Sequence, residues 1–329
     1  MIYAMSGGSE SSDCLRAQPC SLTRAVSLAR GAANNPIIRM LPGVYVSGLL
    51  VNTPTTAPLS IVATGAAITS FTGIRVDGGA NVSIRGIAAT GSNFAVQCGS
   101  PATSASTLQI QRSTLLAGTS SANLVATANC KLSLTDVDVQ LNDSTGSSLS
   151  LGTDTTFVGD RLRVRGQQQP GIQTLGQRVS MRLTNSILEN PLILFSTTDS
   201  GAPGSQVYFG FNTVVLRDFS LNCNNNSGSA HRTVLLENNI MVAQGQTSAI
   251  SGTTCTLVNN VLLPQPSAPA TNIVADPQFV DAAAKNFRLR STSPALGAAT
   301  GTPAIFTDHD FMGTGRPQGG ASDIGAFEQ

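Results

Sequence analysis

With 329 residues the chain is long enough for one large domain or two small ones. Only 11% of it is charged and the formal net charge is +1, which leaves no electrostatic footprint for nucleic acid. The composition is 41% hydrophobic, yet no apolar run approaches the roughly 18 residues that span a bilayer, so the chain reads as soluble with no transmembrane segment.

The first residues, MIYAMSGGSESSD, lack the basic stretch and apolar run of a secretion signal. Yet six cysteines follow: Cys14, Cys20, Cys98, Cys130, Cys223 and Cys255. An even number without CxxC clusters predicts disulfides and an oxidising compartment. The expectation is a secreted or cell-surface protein whose signal and sorting sequences are absent from this chain. Next, CSLTRAVSLAR (20–30) predicts an amphipathic helix. Ser21 can cap it, and Leu22, Ala25, Val26 and Ala29 share one face. Such a helix suits the end of a stack whose first coil is IIRMLPGVYV (37–46).

From there the chain repeats. VSIRGIAAT (82–90), LQIQRSTLL (108–116), LSLTDVDVQ (132–140), FVGDRLRVR (157–165), MRLTNSILE (181–189), YFGFNTVVL (208–216), VLLENNIMV (234–242) and TLVNNVLLP (256–264) align. Each is two short alternating runs around a small or polar residue: Gly86, Arg112, Asp136, Asp160, Asn185, Asn212, Asn238 and Asn259. The steps are 26, 24, 24, 25, 27, 26 and 21 residues. A two-residue alternation excludes helical repeats, and no leucine-rich pattern is present. The period fits an all-β right-handed parallel β-helix, a solenoid of about ten coils with an N-terminal capping helix. One domain is expected, with a cap over 1–36, coils over 37–275, and a last coil with a capping segment over 276–329. Asparagines inside apolar runs then make sense as a stacked ladder, since amides one above another bond along the axis. Asn185, Asn212, Asn238 and Asn259 form it, with Asn239 and Asn260 as register alternatives.

The cysteines obey the same repeat. Cys98 and Cys130 follow their corner residues by 12 and 18 positions, and Cys223 and Cys255 by 11 and 17. Each pair therefore falls in one sector of adjacent coils, which predicts Cys98–Cys130 and Cys223–Cys255, with Cys14–Cys20 closing a short loop.

Both ends resemble a known group. DPQFVDAAAKNFRLRSTSPALGAATG and TDHDFMGTGRPQGGASDIGAFE resemble the C-terminal segment of bacterial secreted β-helix proteins of the choice-of-anchor Q type, in the pectate-lyase-like superfamily. The matching residues are Asp276, Pro277, Phe279, Phe287, Leu289, Ser293, Pro294, Ala295, Arg316, Pro317 and Asp323 through Glu328. CSLTRAV and LPGVY resemble the start of the same proteins. The resemblance implies a secreted β-helix; its relatives include lyases, hydrolases, epimerases and non-catalytic surface proteins.

Chemistry is expected on the outward positions of the strand after each corner. If Val137, Val139, Leu162 and Val164 point inward, Asp138, Gln140, Arg161, Arg163 and Arg165 point out, and Glu189 belongs to the next coil. Arginines suit the carboxylate of an acidic sugar; the same residues suit a ladder of surface ion pairs. His231 and His309 show no partner nucleophile. No catalytic residue or metal ligand is assigned, and no cofactor is expected, with Ca2+ left open. The expected partner is a polysaccharide or cell-surface glycan, with lyase chemistry left open and a structural surface protein or adhesin as the alternative.

Overall fold

The computed structural model describes residues 1–329 except 56, 71–72, 102–103, 118–124, 142–148, 167–169, 191, 196–203, 218, 224–231 and 301–306. Packing divides the chain into two compact units, Met1–Thr156 and Phe157–Gln329. Both are built of parallel β-coils, and the chain is an all-β right-handed solenoid of about 8 turns with one short helix. No helix among the described residues is long and apolar enough to cross a membrane.

In the first unit, one wall stacks Ile2–Ser9, Ile37–Met40, Leu59–Ser70, Asn81–Gly91, Ser106–Ala117 and Cys130–Gln140, all in parallel. The alternation of the sequence sets which side faces inward. Ile38, Ile61, Ile84, Ile110 and Leu134 stack in one column, each at most 1% exposed. A second wall stacks Leu49, Ile74, Val96, Val125 and Leu149 in the same way. Each such side chain contributes roughly 1.5–3 kcal/mol on burial. The sequence places the first rung at Ile37, but Ile2–Ser9 already pairs with it, so the stack begins one rung earlier. The helix Leu22–Arg30 is capped by Ser21, whose side chain accepts from the Arg24 N–H at 3.0 Å. It buries Leu22, Ala25, Val26 and Ala29 and packs on the first strands, as its apolar face predicts.

In the second unit, Ser180–Thr184, Gln206–Gly210, Thr233–Glu237 and Thr256–Val258 stack in parallel. Beyond a sharp corner, Arg163–Arg165, Ile187–Glu189, Thr213–Arg217, Ile240–Gln244, Val261–Leu263 and Ile273–Val274 do the same. The coil count falls short of ten partly because Phe279–Asp281 and Asn286–Leu289 leave the parallel stack and form an antiparallel hairpin.

All six cysteines are bridged, as Cys14–Cys20, Cys98–Cys130 and Cys223–Cys255, with Cα separations of 4.6, 5.8 and 5.5 Å. Each long bridge closes a 32-residue interval and restricts the unfolded chain, worth about 3–4 kcal/mol.

The corners need a left-handed backbone. In the first unit Gly86, Arg112 and Asp136 adopt positive φ. At Gly86 a Cβ would lie 2.4 Å from the Ala63 carbonyl oxygen, so only glycine fits. In the second unit the left-handed residues at this corner are Arg161, Asn185, Phe211, Asn238 and Asn259. The expected column is thus corrected at two places: Arg161 replaces Asp160, and Phe211 replaces Asn212. The inward amide ladder lies one residue later. It runs from Ser186 through Asn212, Asn239 and Asn260 to Asn272. Each side-chain oxygen accepts the backbone N–H of the rung before, at 2.9–3.0 Å, and the amide groups bond onward to one another. Asn185, Asn238 and Asn259 stand outside this ladder, at the corner itself, where the expected stacking holds for one step: Asn259 Nδ2 donates to Asn238 Oδ1 at 2.7 Å.

Outside the second unit's corner runs an apolar column of Ile240 and Val261, which the C-terminal segment covers. Ile324, Ala295, Ala299 and Leu289 pack with Phe211, Ile240 and Val261. The Gly325 N–H bonds to the Asn238 carbonyl, and the Ala326 N–H to Thr213 Oγ1 at 3.0 Å. The terminal motif is consumed in holding this cover. Arg316 and Glu328, both with fully buried side chains, pair at 2.8 Å. Arg316 also donates to the carbonyls of His309, Asp323 and Gly325, and Glu328 accepts the N–H groups of Gln318 and Asp323.

Candidate functional site

Two polar clusters of the second unit gather on the outer side of its first rungs. At the first, Asp160 ends the strand Thr155–Asp160 and Arg161 turns the corner. Asp160 Oδ1 accepts from Thr184 Oγ1 at 3.0 Å and from Asn185 Nδ2 at 2.9 Å. Its Oδ2 faces Arg161 at 3.3 Å and His309 Nε2 at 2.8 Å. The other ring nitrogen of His309 meets Asp308 Oδ1 at 2.5 Å. Thr307 Oγ1 donates to Asn185 Oδ1 at 3.1 Å, which fixes the segment on the same corner. Partial burial pushes the His309 imidazole down, but the bonds to Asp160 and Asp308 outweigh it and its pKa ends above the usual value. Asp308, hydrogen-bonded and attracted to His309, is held below the usual carboxylate range.

At the second cluster, Arg163 and Arg165 alternate with the buried Val164, so both arginines point outward as the pattern predicts. Arg163 Nε donates to Glu189 Oε1 at 2.7 Å, and Lys285 Nζ lies 2.9 Å from Glu189 Oε2. Glu189, expected on the surface, is only 8% exposed because these two cations cover it. Asp138 and Gln140 also face outward, on Cys130–Gln140 of the first unit, with Gln140 Nε2 donating to Asp138 Oδ2 at 3.1 Å.

Further along the wall, Tyr208 and Glu237 are buried polar groups that sequence reasoning passed over. Glu237 is 4% exposed; its Oε2 and the Tyr208 hydroxyl have no hydrogen-bond partner among the described residues. The Arg182 guanidinium lies 5.3 Å from the Tyr208 ring centre. Burial raises the pKa of Glu237, and burial followed by the nearby Glu237 charge raises that of Tyr208.

The crystal structure of pectate lyase Pel9A superposes with a TM-score of 0.59, covering 100% of this chain and 96% of that one at 15% identity. The fold is that of a pectate lyase. At that identity the likeness concerns the β-helix alone. No family model matches the sequence. No curated protein matches it either.

At the two clusters the cations face carboxylates already engaged, Asp160 and Glu189. Among the described residues no three His, Cys, Asp or Glu side chains gather as cation ligands. Sequence reasoning found Arg161, Arg163, Arg165 and Glu189 but missed Asp160, Lys285, Asp308 and His309 as their neighbours. His309 reaches Asp160 across 149 residues of chain, and only the folded-back C-terminal segment brings them together. The one sequence signal was the charged run TDHD within a motif otherwise built for packing. His231 lies outside the described residues.

Proposed function

We propose that the protein recognises an extracellular polysaccharide with acidic units, through the arginine row Arg161, Arg163 and Arg165 of the second unit. The observation that carries this reading is the outward, part-exposed guanidinium of Arg163, held in place by Glu189. An arginine so positioned loses little freedom on meeting a carboxylate and can present a planar fork to it. Asp138 and Gln140 are candidate hydrogen-bonding residues on the first unit. The pectate-lyase fold supports a polysaccharide-related role, and the three disulfides fit an extracellular setting. We read the C-terminal motif as that of a choice-of-anchor Q protein of a bacterial cell surface.

Hydrolysis is disfavoured at the two arginine clusters. It requires one carboxyl free to donate a proton and another free to act as base or nucleophile, whereas Asp160 and Glu189 are each held by two or more partners. Elimination from a uronic acid stays open, since an arginine can neutralise the carboxylate. The same engagement of Asp160 and Glu189 favours the second reading, a non-catalytic structural surface protein or adhesin.

The test pairs binding with turnover. Polygalacturonate and other polyuronates are offered to the wild type and to the R163A/R165A variant. Weaker binding by the variant, with an unchanged circular dichroism spectrum and a salt-dependent affinity, supports the arginine row. New unsaturated ends identify a lyase; binding without them identifies a lectin-like protein. Unchanged affinity in the double variant removes this row from consideration.

A further inference from the structure

His309 has carboxylate oxygens on both ring nitrogens, Asp160 Oδ2 at Nε2 and Asp308 Oδ1 at Nδ1. A neutral imidazole carries one N–H and one lone pair. It can donate to one of these carboxylates, but must then turn its lone pair toward the other. Only the imidazolium donates to both. The geometry therefore asks for a proton at this site, whichever tautomer is assigned. Among the described residues the charged neighbours of the ring are these. Asp160 and Arg161 face the ring from the corner, Asp308 from its own segment, and Arg316 Nε holds the His309 carbonyl at 3.2 Å.

We propose that His309 is a proton-operated clip, which closes residues 307–310 onto the Asp160–Asn185 corner when charged and loosens them when neutral. The same proton sets the charge beside the arginine row. Asp160, Asp308, Arg161 and His309 sum formally to zero with the imidazolium present and to −1 without it. An anionic ligand at Arg161 and Arg163 is then favoured on the acid side. This second consequence rests on the polysaccharide reading; the clip does not. The raised pKa of His309 agrees in direction. The sign follows from linkage: a raised pKa makes closure fully present below about 6.5, the ordinary histidine value, and lost as pH climbs through the folded value. Asp308 stays ionised across that window because its own pKa is lowered.

Two measurements test the clip without any ligand. In an H231Q background His309 is the remaining histidine of the chain, and its ring signals are followed by NMR against pH. The expected midpoint lies above 6.5, and D308N lowers it. Asp308 is 94% exposed at its side chain, so that substitution leaves the fold intact. Amide exchange of Asp310, Phe311 and Arg316 reports closure. Their N–H groups bond to Thr314, Ala326 and Asp308 within the same cover. After correction for intrinsic rates, protection falls between about pH 5.5 and about pH 8.5 by about tenfold for each unit the midpoint lies above 6.5. H309Q abolishes this fall. A midpoint at or below 6.5, or pH-independent protection in the wild type, overturns the proposal. A polygalacturonate oligomer then probes the charge effect at fixed ionic strength, with tighter binding at the lower pH in the wild type and none of this dependence in H309Q. Absence of binding at both pH values overturns the recognition reading while the exchange result still judges the clip. Binding that ignores pH in a protein whose His309 titrates as expected overturns the charge effect alone.

Discussion

Replacing Asn239 by alanine tests the ladder at its centre. Asn239 is fully buried, and its Oδ1 accepts the Asn212 N–H at 2.9 Å and the Asn212 amide at 3.1 Å. Its Nδ2 lies within bonding distance of the carbonyls of Phe209 and Glu237, at 2.8 and 3.0 Å, and of Asn260 Oδ1 at 3.0 Å. Alanine leaves the Asn212 N–H without its acceptor and the Phe209 carbonyl short of a donor. Glu237 keeps a second donor, the N–H of Phe211. At about 1–3 kcal/mol for each buried group left unpaired, two such groups amount to about 2–6 kcal/mol. Equilibrium urea unfolding measures the loss. Serine provides the matching control, because Ser186 occupies the same column and accepts the Leu162 N–H at 3.0 Å. N239S therefore recovers about 1 kcal/mol or more of what N239A loses, by restoring an acceptor. A loss below about 1 kcal/mol in N239A, or no difference between the two variants, would refute the ladder as a source of stability.

Two other substitutions probe the C-terminal cover and the coil wall. R316A strands the buried Glu328 carboxylate and removes a guanidinium 4.8 Å from the Phe211 ring centre; a destabilisation of about 3–5 kcal/mol is expected by thermal or urea unfolding, and R316M/E328Q recovers part of it. E237Q acts through pH. Because burial raises the folded pKa of Glu237, the wild type is most favoured below the ordinary value of 4.5 and loses stability as pH rises through the folded value. The glutamine variant therefore gains on the wild type as pH climbs from about 4.5 to about 8, and parallel stability curves would remove this group as the cause.

The repeat was legible because strand alternation and corner spacing are local properties. VLLENNIMV displays both: Val234 and Leu236 point inward, and Asn238 and Asn239 mark the turn. The division of labour within that pair was not legible. Asn238 takes the left-handed corner and Asn239 turns inward to accept a backbone N–H from the neighbouring coil. In YFGFNTVVL there is one asparagine for two tasks. Local preference puts it at the corner, since asparagine tolerates positive φ. The interior prevails instead: Asn212 joins the ladder, and Phe211 accepts a φ of 56° while packing in the apolar cluster under Arg316. An unpaired backbone N–H in the core costs more than one strained residue that gains contacts. The arginine row was legible for the same reason as the strands. The contacts of Asp160 with His309 and of Glu189 with Lys285 were not, because His309 and Lys285 arrive from the C-terminal segment and follow no repeat.

That cover also sets an order of events during synthesis. The coils of the second unit can stack one on another as they emerge, each on the rung just made. Thr213 must wait for Ala326, 113 residues later, to receive the bond that seals its corner. Until then Phe211, Ile240 and Val261 lack Ile324 as a neighbour, and the nascent unit carries an uncovered oily stripe past the ribosome. The wall is therefore most open to chaperones, and to aggregation with other nascent chains, just before Glu328 emerges.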